Sequence, residues 1–288
     1  MTTTELTVDR QTRRLTAEEV KQYHERGFVK NLPLFDEAGV QALQTEFMKN
    51  VDKVPEEVDL YRVNNWHKAN RWFYDLAHTP AILDYVEDLL GANFHLWAAA
   101  FFIKFPHDES TVPWHQDARY WAIDPRKTVT VWLAAFDTDK ENGCMRVVPG
   151  SHRWGDLPHE DIPGSPAWDK NTKPEERRKQ KYVLWQRIDP NSFSEDDAVD
   201  MDLKAGEISL HDDDLIHGST GNPSDRMRAG ITMRYCPTEV KGDLSVWPNF
   251  EVYPVRGVDE YNHNPVGRVP TKYGHPTTYN QKSSEFES

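Results

Sequence analysis

The texture of this chain changes at residue 93, and that change limits its fold more than any other feature. Downstream, the runs FHLWAAAFFIKF, TVTVWLAAF, CMRVVPG, YVLWQRI, EISLHDDDLIH and MRAGITMRY are short and β-rich, separated by Pro, Gly, Asn and Asp clusters. Upstream the pattern is helical. Thr16 and Glu19 make a capping-box pair ahead of Val20 and Tyr23. Asp36 caps a second stretch in which Val40, Leu43, Phe47 and Val51 recur at helical spacing, and Thr79-Pro80 opens a third that ends at Gly91. Helices first and strands second predict an α+β, mainly β, unit: a double-stranded β-helix (jelly roll) with flanking N-terminal helices and an interior wide enough for a ligand. The expected layout is a frayed tail over 1–14, then one domain over 15–288. Within it, helices fill 15–92, the jelly-roll core runs over about 93–240, and an extension covers 241–288.

Charge narrows the partners. With 34 Lys+Arg against 47 Asp+Glu the net charge is −13, which repels phosphate backbones and anionic lipid headgroups. Nucleic acid and membrane partners are therefore not expected, and a small-molecule substrate is. The start has no apolar signal region and no window approaches a membrane span, so a cytoplasmic protein is expected. Cys144 and Cys236 belong to no CxxC pair and read as two buried thiols. Lys170, Lys173, Arg177, Arg178, Lys179 and Lys181 form the one dense basic cluster, expected to be a solvated surface helix or else a lid over an anionic substrate.

The chemistry lies in three spaced motifs. His115 and Asp117 are two apart at the mouth of an expected strand, so both would point to one face. His217 ends a later strand 100 residues on. Two histidines and one carboxylate are the facial set of non-haem Fe(II) oxygenases, which leaves positions open for cosubstrate and oxygen. Eleven residues beyond His217, Arg228 starts a run in which Gly230, Thr232 and Arg234 share its face. A guanidinium inside a barrel needs a carboxylate, and the distal carboxylate of 2-oxoglutarate suits it, with Ser219 or Thr232 adding a hydroxyl. A zinc hydrolase on the same ligands lacks an identifiable general base, and a non-catalytic metal-binding jelly roll would have no use for Arg228. Asp212, Asp213 and Asp214 read as a turn rather than a calcium loop, since consecutive residues lack the spaced oxygens of such a loop.

These motifs, with NGCMRVVPGSH over Asn142 to His152, resemble the phytanoyl-CoA dioxygenase family of Fe(II)- and 2-oxoglutarate-dependent oxygenases, over roughly Leu15 to Pro237. The resemblance implies iron at His115, Asp117 and His217, and 2-oxoglutarate at Arg228, Ser219 and Trp132, with a further contact near Arg62. His211 is the rival third ligand; His217 is preferred because it precedes Gly-Ser and sets the arginine at the family distance. Asp117 favours hydroxylation over halogenation, because halogenating relatives carry a small residue there. NNWHKANRWFYDL, VPWHQDARYW and GEISLHDDDLIHGS are similar to bacterial members that hydroxylate aminoalkylphosphonates. A cationic head would then stack on Trp66, Tyr120 or Trp121, and an anionic one would meet Arg71, Arg119, Lys104 or the 170–181 cluster.

Overall fold

The computed structural model describes residues 14–55, 58, 60, 63–163, 182–278 and 281–286. Residues 1–13 of the expected 1–14 tail, Arg62 and the basic cluster over 170–181 lie outside them, while Arg14 is described and pairs with Glu87 and Asp88.

Two antiparallel sheets face each other. The larger has the order β1 (Phe28–Pro33), β10 (Glu207–Asp212), β5 (Val129–Ala134), β12 (Arg228–Pro237), β2 (Phe94–Lys104), β14 (Tyr253–Arg256). The smaller is β3 (Val112–His115), β11 (His217–Ser219), β6 (Arg146–Val147), β9 (Val199–Asp200). Two small ribbons pair β4 (Ile123–Asp124) with β13 (Lys241–Gly242) and β7 (His159–Asp161) with β8 (Gln186–Ile188). This is the expected jelly roll of an α+β chain.

The helices α1 (Ala17–Arg26), α2 (Glu37–Asp52), α3 (Trp66–Ala69), α4 (Arg71–Ala77) and α5 (Pro80–Leu90) cover the outer face of the larger sheet. Their caps are those read from the sequence: Thr16 and Glu19 close a capping box on α1, Asp36 accepts from the Gly39 amide, and Pro80 occupies the first turn of α5. Leu43, Phe47, Ile82 and Val86 meet Val131, Leu133, Ile208, Leu210, Ile231 and Met233 from the sheet in one apolar cluster. Phe101 anchors it, with the rings of Phe47, Trp66 and Phe73 edge-on at 4.7, 4.6 and 4.6 Å.

Strand alternation sends the remaining residues to the other face. In β5, Val129, Val131 and Leu133 join the core, which leaves Thr130, Trp132 and Ala134 facing inward toward the smaller sheet. β2 breaks this alternation at a bulge where Arg234 pairs Ala98 and Tyr235 pairs Leu96. Leu96 and Ala99 both reach the core, while Trp97 and Ala98 between them join a separate aromatic cluster with Phe250.

Two boundaries differ from expectation. The stretch 15–92 is not all helical: Gly27, with φ 82°, ends α1, and Phe28, Val29 and Leu32 then pair with β10. The segment was too short, and too close to two strong helical signals, for its own pattern to stand out. The sheet also does not stop at 240, because β14 pairs with β2 and supplies the outer strand of the larger sheet.

Candidate functional site

β3 ends at His115 and the next turn is a short 3-10 helix, Asp117–Tyr120. His115 and Asp117 therefore do not share a strand, as their spacing implied; the turn brings the carboxylate round, with His115 Nε2 3.4 Å from Asp117 Oδ1. On β11, His217 is the register partner of His115, and the two rings are 4.1 Å apart at their centroids. Ligand atoms of His115, Asp117 and His217 all lie within 4.8 Å of one another, and all three residues are buried.

Both imidazoles are oriented by the backbone two residues before them. His115 Nδ1 is 2.8 Å from the Pro113 carbonyl and His217 Nδ1 is 2.9 Å from that of Leu215. A carbonyl only accepts, so each Nδ1 carries the proton and each Nε2 keeps a lone pair for a metal. Burial pushes the His217 pKa well down, helped by the nearby His115, which favours the neutral ligand form. Burial works against the charge on Asp117. The Arg234 guanidinium nevertheless holds its carboxyl far below the usual range.

The triad opens onto a cavity lined also by Arg228, Ser219, Trp132 and Thr232, so these seven sequence-derived residues converge. Arg228 is buried with its guanidinium carbon 5.2 Å from the Trp132 ring centroid. Gly230 makes room for that ring, since a Cβ there would fall 2.1 Å from Trp132 Cζ2. Thr232 lines the cavity, but its hydroxyl donates to the Ala100 carbonyl at 3.4 Å.

Other expected contacts lie elsewhere. Trp66 is fully buried in the core, and its indole N–H donates to the Val63 carbonyl at 3.2 Å. Arg71 is on the surface, paired with Asp75 four residues on along α4. Lys104 is buried on β2, but its ammonium is turned to backbone carbonyls of Ser110, Ser219 and Thr220, where it ties together the loops beside Ser219. Burial and the charge of Arg228 lower its pKa to about 6. Arg119 is exposed. Tyr120 stands edge-on to His115 at 5.9 Å, with its buried hydroxyl lacking a hydrogen-bond partner, and Trp121 packs under Arg234 at 5.1 Å.

His211 stays outside the metal cluster, its ring 5.2 Å from that of His217, and burial lowers its pKa to about 4. The contact missed by sequence reasoning is Arg234, whose Nη2 lies 3.6 Å from Asp117 Oδ2. Its shared face with Arg228 was readable; its partner, on a distant turn, was not. Thr130, Phe102, Val112, Met145 and Gly218 also line the cavity.

The donor set fits iron and a keto acid. Two neutral imidazoles and a carboxylate in a jelly roll are the ligands of non-haem iron oxygenases. Ser219 Oγ and Thr130 Oγ1, both buried, have no hydrogen-bond partner among the described residues, as expected of groups that serve a polar ligand. Residues 13–230 match the family model for phytanoyl-CoA dioxygenase (PhyH). The chain belongs to that family, and it is an Fe(II)- and 2-oxoglutarate-dependent dioxygenase that uses O2. It is 27% identical over 247 residues to the peroxisomal phytanoyl-CoA dioxygenase of Mus musculus, covering 77% of this chain and 68% of that one. A phytanoyl-CoA dioxygenase domain-containing protein 1 homolog of Dictyostelium discoideum is 26% identical over 194 residues, covering 67% and 63%. Among solved structures, the apo form of the non-heme monooxygenase ThoJ superposes with a TM-score of 0.69 at 26% identity, covering 88% of this chain and 89% of that one. CytC3 with Fe(II) and alpha-ketoglutarate shares the fold, with a TM-score of 0.63 at 21% identity over 93% and 98% of the two chains. No helix among the described residues is long and apolar enough to cross a membrane.

Proposed function

We propose that this dioxygenase hydroxylates an unactivated C–H of a small polar metabolite, an aminoalkylphosphonate or quaternary-ammonium alkylphosphonate, releasing succinate and CO2. The observation that carries this reading is the cavity itself. It presents two guanidinium groups, those of Arg228 and Arg234, together with the aromatic side chains of Phe102 and Trp132. Relatives named for phytanoyl-CoA favour a second reading, in which the substrate is another small acid or an acyl compound.

When bound, iron with 2-oxoglutarate and dioxygen supplies the oxidation: the keto acid is decarboxylated and one oxygen atom enters the C–H bond. His115, Asp117 and His217 hold the metal, and the Pro113 and Leu215 carbonyls keep both Nε2 atoms aimed at it. Arg228 receives the distal carboxylate of 2-oxoglutarate, braced by Trp132, and the partnerless Ser219 hydroxyl donates a further hydrogen bond.

The test is anaerobic addition of 2-oxoglutarate to the Fe(II)-loaded protein, followed by oxygen and a panel of aminoalkylphosphonates, small carboxylates and acyl thioesters. A visible charge-transfer absorption on chelation, lost in Arg228→Ala, is expected. Succinate release should then be stimulated by a phosphonate. Stimulation by acyl thioesters alone would overturn the substrate reading in favour of the second.

A further inference from the structure

Two guanidinium groups face the cavity from one strand, and 2-oxoglutarate accounts for only one of them. Arg228 and Arg234 lie on the same face of β12, six residues and hence roughly 20 Å apart at their backbones. Arg228 leans over Trp132. Arg234 stands at the metal end, its guanidinium carbon 5.1 Å from the Trp121 ring and 5.9 Å from that of Phe102.

Arg234 is 12% exposed and meets Asp117 through Nη2 alone, at 3.6 Å, while its buried Nε has no hydrogen-bond partner. A guanidinium carries five N–H donors in a planar fork, and at least the Nε–H of this one is unsatisfied among the described residues. Its neighbours along the sheet are in the same condition. Arg234 is the register partner of Thr130, and Thr130 of His211. Thr130 Oγ1 and His211 Nδ1 are also buried and also without partners among the described residues. A row of three buried, unsatisfied polar groups across three strands costs stability unless a ligand completes it. The fork of Arg234 with the Thr130 hydroxyl beside it matches a group of two or three anionic oxygens.

We propose that Arg234, with Thr130 beside it, binds the anionic head group of the substrate, a phosphonate or a carboxylate, next to the metal and at the opposite end of β12 from the arginine that takes the cosubstrate. The inference deepens the small-polar-metabolite reading and rests on it. Trp121 and Phe102 hold the guanidinium plane in place, so the head group is fixed and the carbon beside it is presented to the metal.

The experiment uses the full chain loaded anaerobically with Fe(II) and 2-oxoglutarate. The probes are 2-aminoethylphosphonate, 3-aminopropanoate and 2-aminoethanol, which share an amine and differ in the acidic group. Binding is read from tryptophan fluorescence, since Trp121 lies against Arg234, and from perturbation of the charge-transfer absorption. An anionic probe should bind and the aminoalcohol should not, and the better of the two acids identifies the head group. Arg234→Met should weaken that probe by about 10- to 100-fold, and Arg234→Lys, which keeps the charge but not the fork, by less. Arg234→Lys, which keeps a positive charge beside Asp117, should keep Fe(II) and 2-oxoglutarate affinity near that of the wild type, whereas Arg228→Met should lose 2-oxoglutarate.

An unchanged affinity for the anionic probe in Arg234→Met overturns the inference while leaving the small-metabolite reading intact. Loss of Fe(II) or 2-oxoglutarate along with the probe in Arg234→Lys also overturns it, because Arg234 would then be positioning Asp117 or the cosubstrate. Wild-type protein that binds neither acid sinks the small-anion reading and the inference with it.

Discussion

The two faces of the larger sheet are built from the same strands and follow opposite rules. Its outer face is apolar and closed: Val131, Leu133, Ile208, Leu210, Ile231 and Met233 are buried against helices. Its inner face alternates with them residue by residue, yet carries Thr130, His211 and Arg234 with polar atoms that nothing among the described residues satisfies, beside the small residues Ala98, Ala100 and Gly230. A sheet that serves only its own stability has no reason to leave such atoms unpaired. The outer face holds the fold together, and the inner face is organised for ligands at a cost to stability.

Substitutions on either side can break this comparison. On the inner side, Asp117→Ala should lower coupled succinate formation on the order of 10³-fold or more, with the circular dichroism spectrum unchanged; an active variant would contradict the metal assignment. On the outer side, Phe101→Ala should cost about 3–5 kcal/mol in denaturant unfolding, because three aromatic rings lose their common partner, with KM values close to wild type. Equal damage to KM would mean that the faces are not separable. Gly230→Ala pushes against Trp132 and should raise KM for 2-oxoglutarate roughly tenfold, with about 1–3 kcal/mol of stability lost.

The sharpest contrast comes from a change of opposite sign. Thr130→Val replaces a partnerless buried hydroxyl with a methyl group of similar shape, and should raise stability by about 1 kcal/mol, seen as a few degrees in Tm, while weakening substrate binding. A destabilised variant would show that Thr130 is already satisfied in the ligand-free protein. The smallest effect is expected at the turn after β10. There burial, then the charges of Asp212 and Asp214, push the Asp213 carboxyl well above the usual carboxylate range. The folded state keeps a proton that the unfolded chain has released, so stability is full below about pH 4 and is lost as pH rises through the raised value. Asp213→Asn stays neutral and should gain on wild type with rising pH, by on the order of 1 kcal/mol at alkaline pH, measured as a Tm difference across a pH series. A constant difference would remove Asp213 as the titrating group.

Much of this was legible in the primary structure, for different reasons. The caps at Thr16, Asp36 and Pro80 are local, each decided within one helical turn, and they are where the spacing put them. The triad was legible from its residue types, although the reasoning that put His115 and Asp117 on one strand was wrong; a 3-10 turn, not strand alternation, makes them converge. Trp66 and Arg71 were misplaced, because an aromatic or a cation near a motif is equally compatible with core, surface or cavity. Their places depend on which neighbours α3 and α4 meet, here Phe101 and Asp75.

Within this chain, the sequence determined what needs only neighbours a few residues away: the helix ends, the alternation that gives each strand two faces, and the ligand types that iron requires. The tertiary structure decided what needs partners distant in the chain. It set His217 against His115, turned Lys104 to the carbonyls of Ser219 and Thr220, and laid Arg234 between Trp121 and Phe102 within reach of Asp117. The physical reason is that pairing register and burial are collective properties of two packed sheets, so a buried charge is read from the company it keeps and not from its spacing.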